Sequence, residues 1–198
     1  MEGQVSSQRN RRDRWVSGLV IGVWVLALLL GWMVKALAEG RTVAYEGNGI
    51  RVRYPAGWVR VETQPPLLLQ VEDRLAQPFR TTLSLERRPV PPGVSNPLGT
   101  VAQMLVLERG WMAYRPLEVL TETVPLTAQA PALHVTFAYV EPNNNPFLSS
   151  VPVVMLGEEY LLLVGNQAYV VTLTAAEANY SRARRQLQAL LQSLQFRP

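Results

Sequence analysis

Gly165-Asn166-Gln167-Ala168-Tyr169-Val170-Val171-Thr172-Leu173-Thr174-Ala175-Ala176-Glu177, residues 165–177, changes its period part-way along. Gly165-Asn166 is a turn dipeptide standing between the apolar run Glu159 to Val164 and the β-branched, aromatic run Tyr169 to Thr174, which reads as a hairpin. Thr174 and Glu177 then stand at capping-box spacing. After them Ala176, Tyr180, Ala183, Leu187, Leu190 or Leu191, and Leu194 recur at helical spacing, leaving Arg182, Arg185 and Gln188 for solvent. A hairpin that feeds an amphipathic terminal helix requires a sheet for that helix to cover.

Upstream the same alternation recurs. Thr42 to Glu46 and Ile50 to Tyr54 flank Gly47-Asn48-Gly49, a second hairpin signal, and Ile50, Val52 and Tyr54 alternate with Arg51 and Arg53. A Pro-Gly turn leads past Trp58, read as capping an edge of the core, into Val59 and Val61. Leu67 to Val71, Thr81 to Glu86, Leu117 to Val124, Ala132 to Glu141 and Val151 to Met155 are further strand-like runs. The proline-rich segment Arg88 to Pro97 reads as a loop. Asn96 with Pro97 after it predicts the start of a helix running to Met112, with Val101, Met104, Leu105 and Met112 as its stripe, interrupted by Glu108. Hairpins and meanders with one internal and one terminal helix imply an α+β fold, an antiparallel β-sheet flanked by helices.

Glu46-Gly47-Asn48-Gly49-Ile50-Arg51-Val52-Arg53-Tyr54-Pro55-Ala56-Gly57-Trp58 resembles the opening of PsbP-like domains, in which an extended segment ends in Tyr-Pro-x-Gly-Trp. Gly165 to Thr174, with the helix that closes on Leu190-Leu191-Gln192-Ser193-Leu194-Gln195-Phe196, resembles their final hairpin and terminal helix. The resemblance implies an αβα sandwich shared with the photosystem II extrinsic subunit and a nuclear Ran-binding protein, here in a membrane-anchored bacterial form. It implies no metal, cofactor or photosystem-docking residue, since none can be matched position by position, and fold does not carry function.

Trp15 to Val34 contains twenty residues without a charge, about 30 Å of helix, the thickness of a bilayer core. Arg9, Arg11, Arg12 and Arg14 precede it, which puts the N-terminus in the cytoplasm. The expected organisation is a basic tail (1–14), a transmembrane signal-anchor helix contacting lipid (15–38), and one extracytoplasmic domain (39–198). Ala36-Leu37-Ala38 offers the alternative of cleavage after Ala38 and secretion. The apolar run exceeds a signal-peptide core, which favours the anchor. Gly18 and Gly22 match the small-xxx-small pattern, a weak pointer to helix dimerisation.

Residues 39–198 hold fourteen Arg and thirteen Asp or Glu, a net charge of +1 that gives nucleic-acid binding no support. The chain has no cysteine, so no disulfide, thiolate zinc site or lipobox anchor. His134, the only histidine, lies in a strand opposite Leu133 and Val135 and reads as a partly exposed residue, a weak candidate for chemistry. Glu72-Asp73 and Glu158-Glu159 would point to opposite faces of a strand, which suits acid–base work poorly, and they read as solvated loop ends. No catalytic motif occurs. The expected function is a noncatalytic binding or complex-assembly domain without cofactor, its candidate interaction positions Leu67, Leu68, Asn143, Asn144, Asn145 and Phe147. The alternative is a helix–sheet pocket for an apolar small molecule, and a hydrolase using His134 ranks last.

Overall fold

The computed structural model describes residues 20–34, 40–110, 115–123, 131–141 and 152–196. It divides into an N-terminal unit, Met1–Arg41, and a domain, Thr42–Pro198. In the first unit residues 20–34 form helix α1, every residue of it exposed. Among the described residues no helix is long and apolar enough to cross a membrane. Residues 15–19 and 35–38 of the expected span lie outside the described residues, as does Gly18, while Gly22 falls within α1.

The domain is α+β with two antiparallel sheets rather than the single one expected. A seven-stranded sheet runs β3 (Val59–Val61), β4 (Leu67–Asp73), β5 (Thr81–Pro89), β9 (Gln167–Ala176), β8 (Val153–Val164), β7 (Pro131–Glu141), β6 (Arg115–Thr123), and β1 (Thr42–Gly47), β2 (Ile50–Pro55) and β10 (Gln195–Phe196) make the small one. Asn48 and Gly49 adopt positive φ of 55° and 78°, the demand of a tight hairpin turn that their side chains tolerate best. Gly165, at φ 61°, opens the two-residue turn between β8 and β9.

Helices cover both faces of the large sheet. Helix α3 (Glu177–Ser193) buries Ala183, Leu187, Leu190 and Leu191 between the two sheets, in one cluster with Ile50 and Val52 of β2, Leu83 and Leu85 of β5, and Val171 and Leu173 of β9. Helix α2 (Pro97–Arg109) buries Val101 and Leu105 on the opposite face against Val135, Leu161 and Val170. Trp58 is half-buried against the α3-side cluster, as its position before β3 suggests.

Several local expectations are corrected. The capping box does not form: Ala176 caps α3 with no side-chain bond, and Thr174 stays in β9, where it pairs with Gly157 and Thr82. Sheet pairing through Ala176, itself buried, outcompetes the cap. At α2 the cap does form, Asn96 Oδ1 accepting from the Gly99 amide at 3.1 Å. The helix ends at Arg109, and Met112 lies outside the described residues. Arg88 and Pro89 extend β5 rather than start the loop, because Ala168 and Gln167 of β9 pair with them. Leu67 and Leu68 belong to β4, and Leu68, at 6% exposure, packs into the core and cannot face a partner. Asn143, Asn144, Asn145 and Phe147 lie outside the described residues.

Candidate functional site: a groove under helix α2

Strand β8 carries Glu158 and Glu159 at its centre, each 1% exposed. They are not solvated loop ends. Alternation does send them to opposite faces, so each must find its counter-charge under a different helix. Glu72, also read as a loop end, is a buried residue of β4 held by Arg74 at 3.6 Å and Arg80 at 3.3 Å.

On the α3 face Glu158 Oε1 accepts from the Tyr180 hydroxyl at 2.5 Å and lies 2.8 Å from Arg184 Nε. His134 Nε2 stands 3.5 Å from Glu158 Oε2, and its ring stacks on Tyr160 with centroids 4.3 Å apart. The expectation of a partly exposed histidine is therefore overturned: His134 is 4% exposed, its ring covered by Tyr160 and by Glu158 on the α3 face of the sheet. Burial pushes the Glu158 carboxyl up, but His134, Tyr180 and Arg184 outweigh it and hold it below the ordinary value. Tyr180 moves the other way, pushed up by burial and by the carboxylate it donates to. The effect is to lock α3 to the sheet.

On the α2 face Glu159 Oε1 accepts from Arg109 Nη1 at the end of α2 and from Thr172 Oγ1 at 3.1 Å. Arg109 also approaches Glu86 at 3.8 Å, and its guanidinium lies 5.9 Å above the Phe137 ring. Arg88 joins Glu86 at 3.1 Å to Glu108 at 2.6 Å. The Glu108 that breaks the apolar stripe thus closes a chain of charges. It fixes the C-terminal end of α2 over β5, β8 and β9.

Beside this chain, α2 and the outer strands leave a groove of about 560 Å³. Ala102, Val106 and Leu107 of α2, Val119 of β6, and Leu133 and Val135 of β7 line it, with Glu159 the one ionisable lining group among the described residues. Leu107 is 81% and Val119 56% exposed, so the groove has an apolar rim. His134, between Leu133 and Val135 in sequence, faces the other side of the sheet and takes no part. Of the residues singled out from sequence, Asn96, Val101, Leu105, Glu108, Leu133, Val135 and Glu159 belong to this face; the groove is built from the consecutive elements α2, β6 and β7, with Glu159 added from β8.

No family model and no curated protein matches the sequence. Solved structures do. Cyanobacterial PsbP (CyanoP) from Synechocystis sp. PCC 6803 superposes with a TM-score of 0.55 at 11% identity, covering 78% of this chain and 92% of that one. The Saccharomyces cerevisiae Ran-binding protein Mog1p superposes with a TM-score of 0.52 at 12% identity, covering 79% and 95%. The fold is PsbP-like, as the Tyr-Pro-x-Gly-Trp segment and the terminal hairpin and helix imply.

Proposed function

We propose that this chain is a noncatalytic binding or complex-assembly domain, held at the outer surface of the cell membrane by residues 15–38, whose partner inserts apolar side chains into the groove under α2. The apolar rim carries this reading: Leu107 and Val119 stand exposed on either side of a concave apolar surface, the pattern of a recognition site rather than of scattered surface residues. The Ran-binding activity of Mog1p shows that a domain of this shape can serve protein recognition in another chain. A hydrolase gains nothing, because the one histidine is stacked beneath Tyr160 and tied to a carboxylate that also serves Tyr180 and Arg184.

An aspartate at Leu107 or Val119 would put a charge into the apolar contact and should lower partner affinity at least about tenfold while leaving thermal stability unchanged, since both side chains are exposed. Unaltered co-purification of either variant from mild detergent would sink the reading. A groove of about 560 Å³ also falls within the range of small-molecule sites, which favours an apolar ligand as the second reading. Native mass spectrometry of the purified chain separates the two, by a retained protein or a retained small mass.

The anchor is supported by twenty uncharged residues flanked on the N-terminal side by four arginines. Intact-mass measurement of the membrane-extracted protein should give the uncleaved chain. A product beginning at Glu39 would instead establish cleavage after Ala38.

A further inference from the structure

The small sheet contributes to a second cleft of opposite character. Alternation along β2 sends Ile50 and Val52 into the core and leaves Arg51 and Arg53 exposed. These two guanidinium side chains meet the last turns of α3 across a cleft of about 510 Å³, whose other polar lining includes Gln186, Gln192, Ser193 and Gln195. Among the described residues its lining holds two cations and no carboxylate. Glu46 stands 3.9 Å from Arg51 Nε, with both side chains about half exposed, an ion pair too long and too wet to occupy the guanidinium. No carboxylate pairs with Arg53 among the described residues. The floor is rigid, because Ser193 Oγ accepts from the Arg53 amide at 2.9 Å and so joins α3 to β2. Two of the carbonyls at the C-terminal end of α3 are already engaged, Leu190 O by Ser193 Oγ at 2.8 Å and Leu191 O by the Leu194 amide at 3.2 Å.

We propose that this cleft binds a phosphate group. Two planar guanidinium forks match the several oxygens of a phosphate, and the glutamine amides supply further N–H donors. The phosphate belongs either to a lipid headgroup or to a free anion. Thr42, which also lines the cleft, follows residue 38 by four residues, about 14 Å of extended chain, so a bilayer phosphate is within reach if residues 15–38 are anchored. Only the choice of source rests on the anchor; the phosphate chemistry does not.

The test is titration calorimetry of the full chain in neutral detergent with short-chain phosphatidylglycerol and, separately, inorganic phosphate. Saturable binding is expected, falling about tenfold or more in an R51Q/R53Q variant and unchanged in R60Q, whose arginine lies over the Tyr45 ring outside the cleft. Binding of the lipid alone assigns a headgroup, and equal binding of inorganic phosphate assigns a free anion. Absence of saturable binding to both probes, or binding indifferent to the double substitution, overturns the proposal. Circular dichroism checks the fold of each variant, and if R51Q/R53Q is unfolded the single R53Q variant decides. The outcome is independent of the α2 groove, whose lining it does not touch.

Discussion

An Arg109→Met substitution should destabilise the domain by about 3–5 kcal/mol, the usual cost of removing one partner of a buried ion pair. Methionine keeps an apolar stem of similar length, so the loss isolates the charge. Without Arg109, Glu159 at 1% exposure retains the Thr172 hydroxyl and Glu86 retains Arg88 as their partners among the described residues. Adding Glu159→Gln to the same chain should recover much of the loss, because a neutral amide tolerates the site. Denaturant unfolding followed by circular dichroism measures both. A cost under about 1 kcal/mol for Arg109→Met would mean that the charge chain does not hold α2.

A Gly157→Val change should cost about 3 kcal/mol by overpacking. A Cβ at this position would stand 2.2, 2.5 and 2.6 Å from three atoms of the Phe137 ring, closer than nonbonded carbon atoms approach. The ring cannot simply swing aside. It is 2% exposed, and the Arg109 guanidinium that caps Glu159 lies above it. Glycine is therefore required here by the volume of Phe137, not by a turn. A Phe137→Leu change in the same chain should relieve part of the clash, and stability that is unaffected by Gly157→Val would show that the ring does not occupy this space.

The elements that depend on local pattern were legible in the sequence. The Asn48-Gly49 and Gly165-Asn166 turns, the Asn96 cap and the buried stripe of α3 follow from backbone preference and period, which neighbouring residues determine. The PsbP-like fold was readable for the same reason. What was not legible depends on partners distant in the chain. The runs Val151 to Met155 and Glu159 to Val164 read as two strands separated at Leu156-Gly157-Glu158, where the structure has one continuous β8. A strand covered on both faces loses its alternation, so Glu158, Glu159 and His134 could not be placed as buried without knowing that α2 and α3 lie on opposite sides. The signal was present in a subtler form: two acids inside a long apolar strand require cations, and Arg109, Arg88 and Arg184 supply or extend those pairs from segments 26 to 71 residues away. Nothing in the local sequence pairs Glu159 with Arg109. The groove is less remote, since α2, β6 and β7 follow one another in the chain and only Glu159 reaches it from β8, but its concavity depends on how α2 lies on the sheet.

Site-specific photo-crosslinking in membranes addresses the groove most directly. A photoreactive side chain at Val119, on the exposed rim, should give one discrete adduct that disappears when Leu107 is also changed to aspartate, whereas the same probe at Gln188, on the solvent side of α3, should give none. Adducts of equal yield from both positions, or none from Val119, would contradict recognition through the groove under α2.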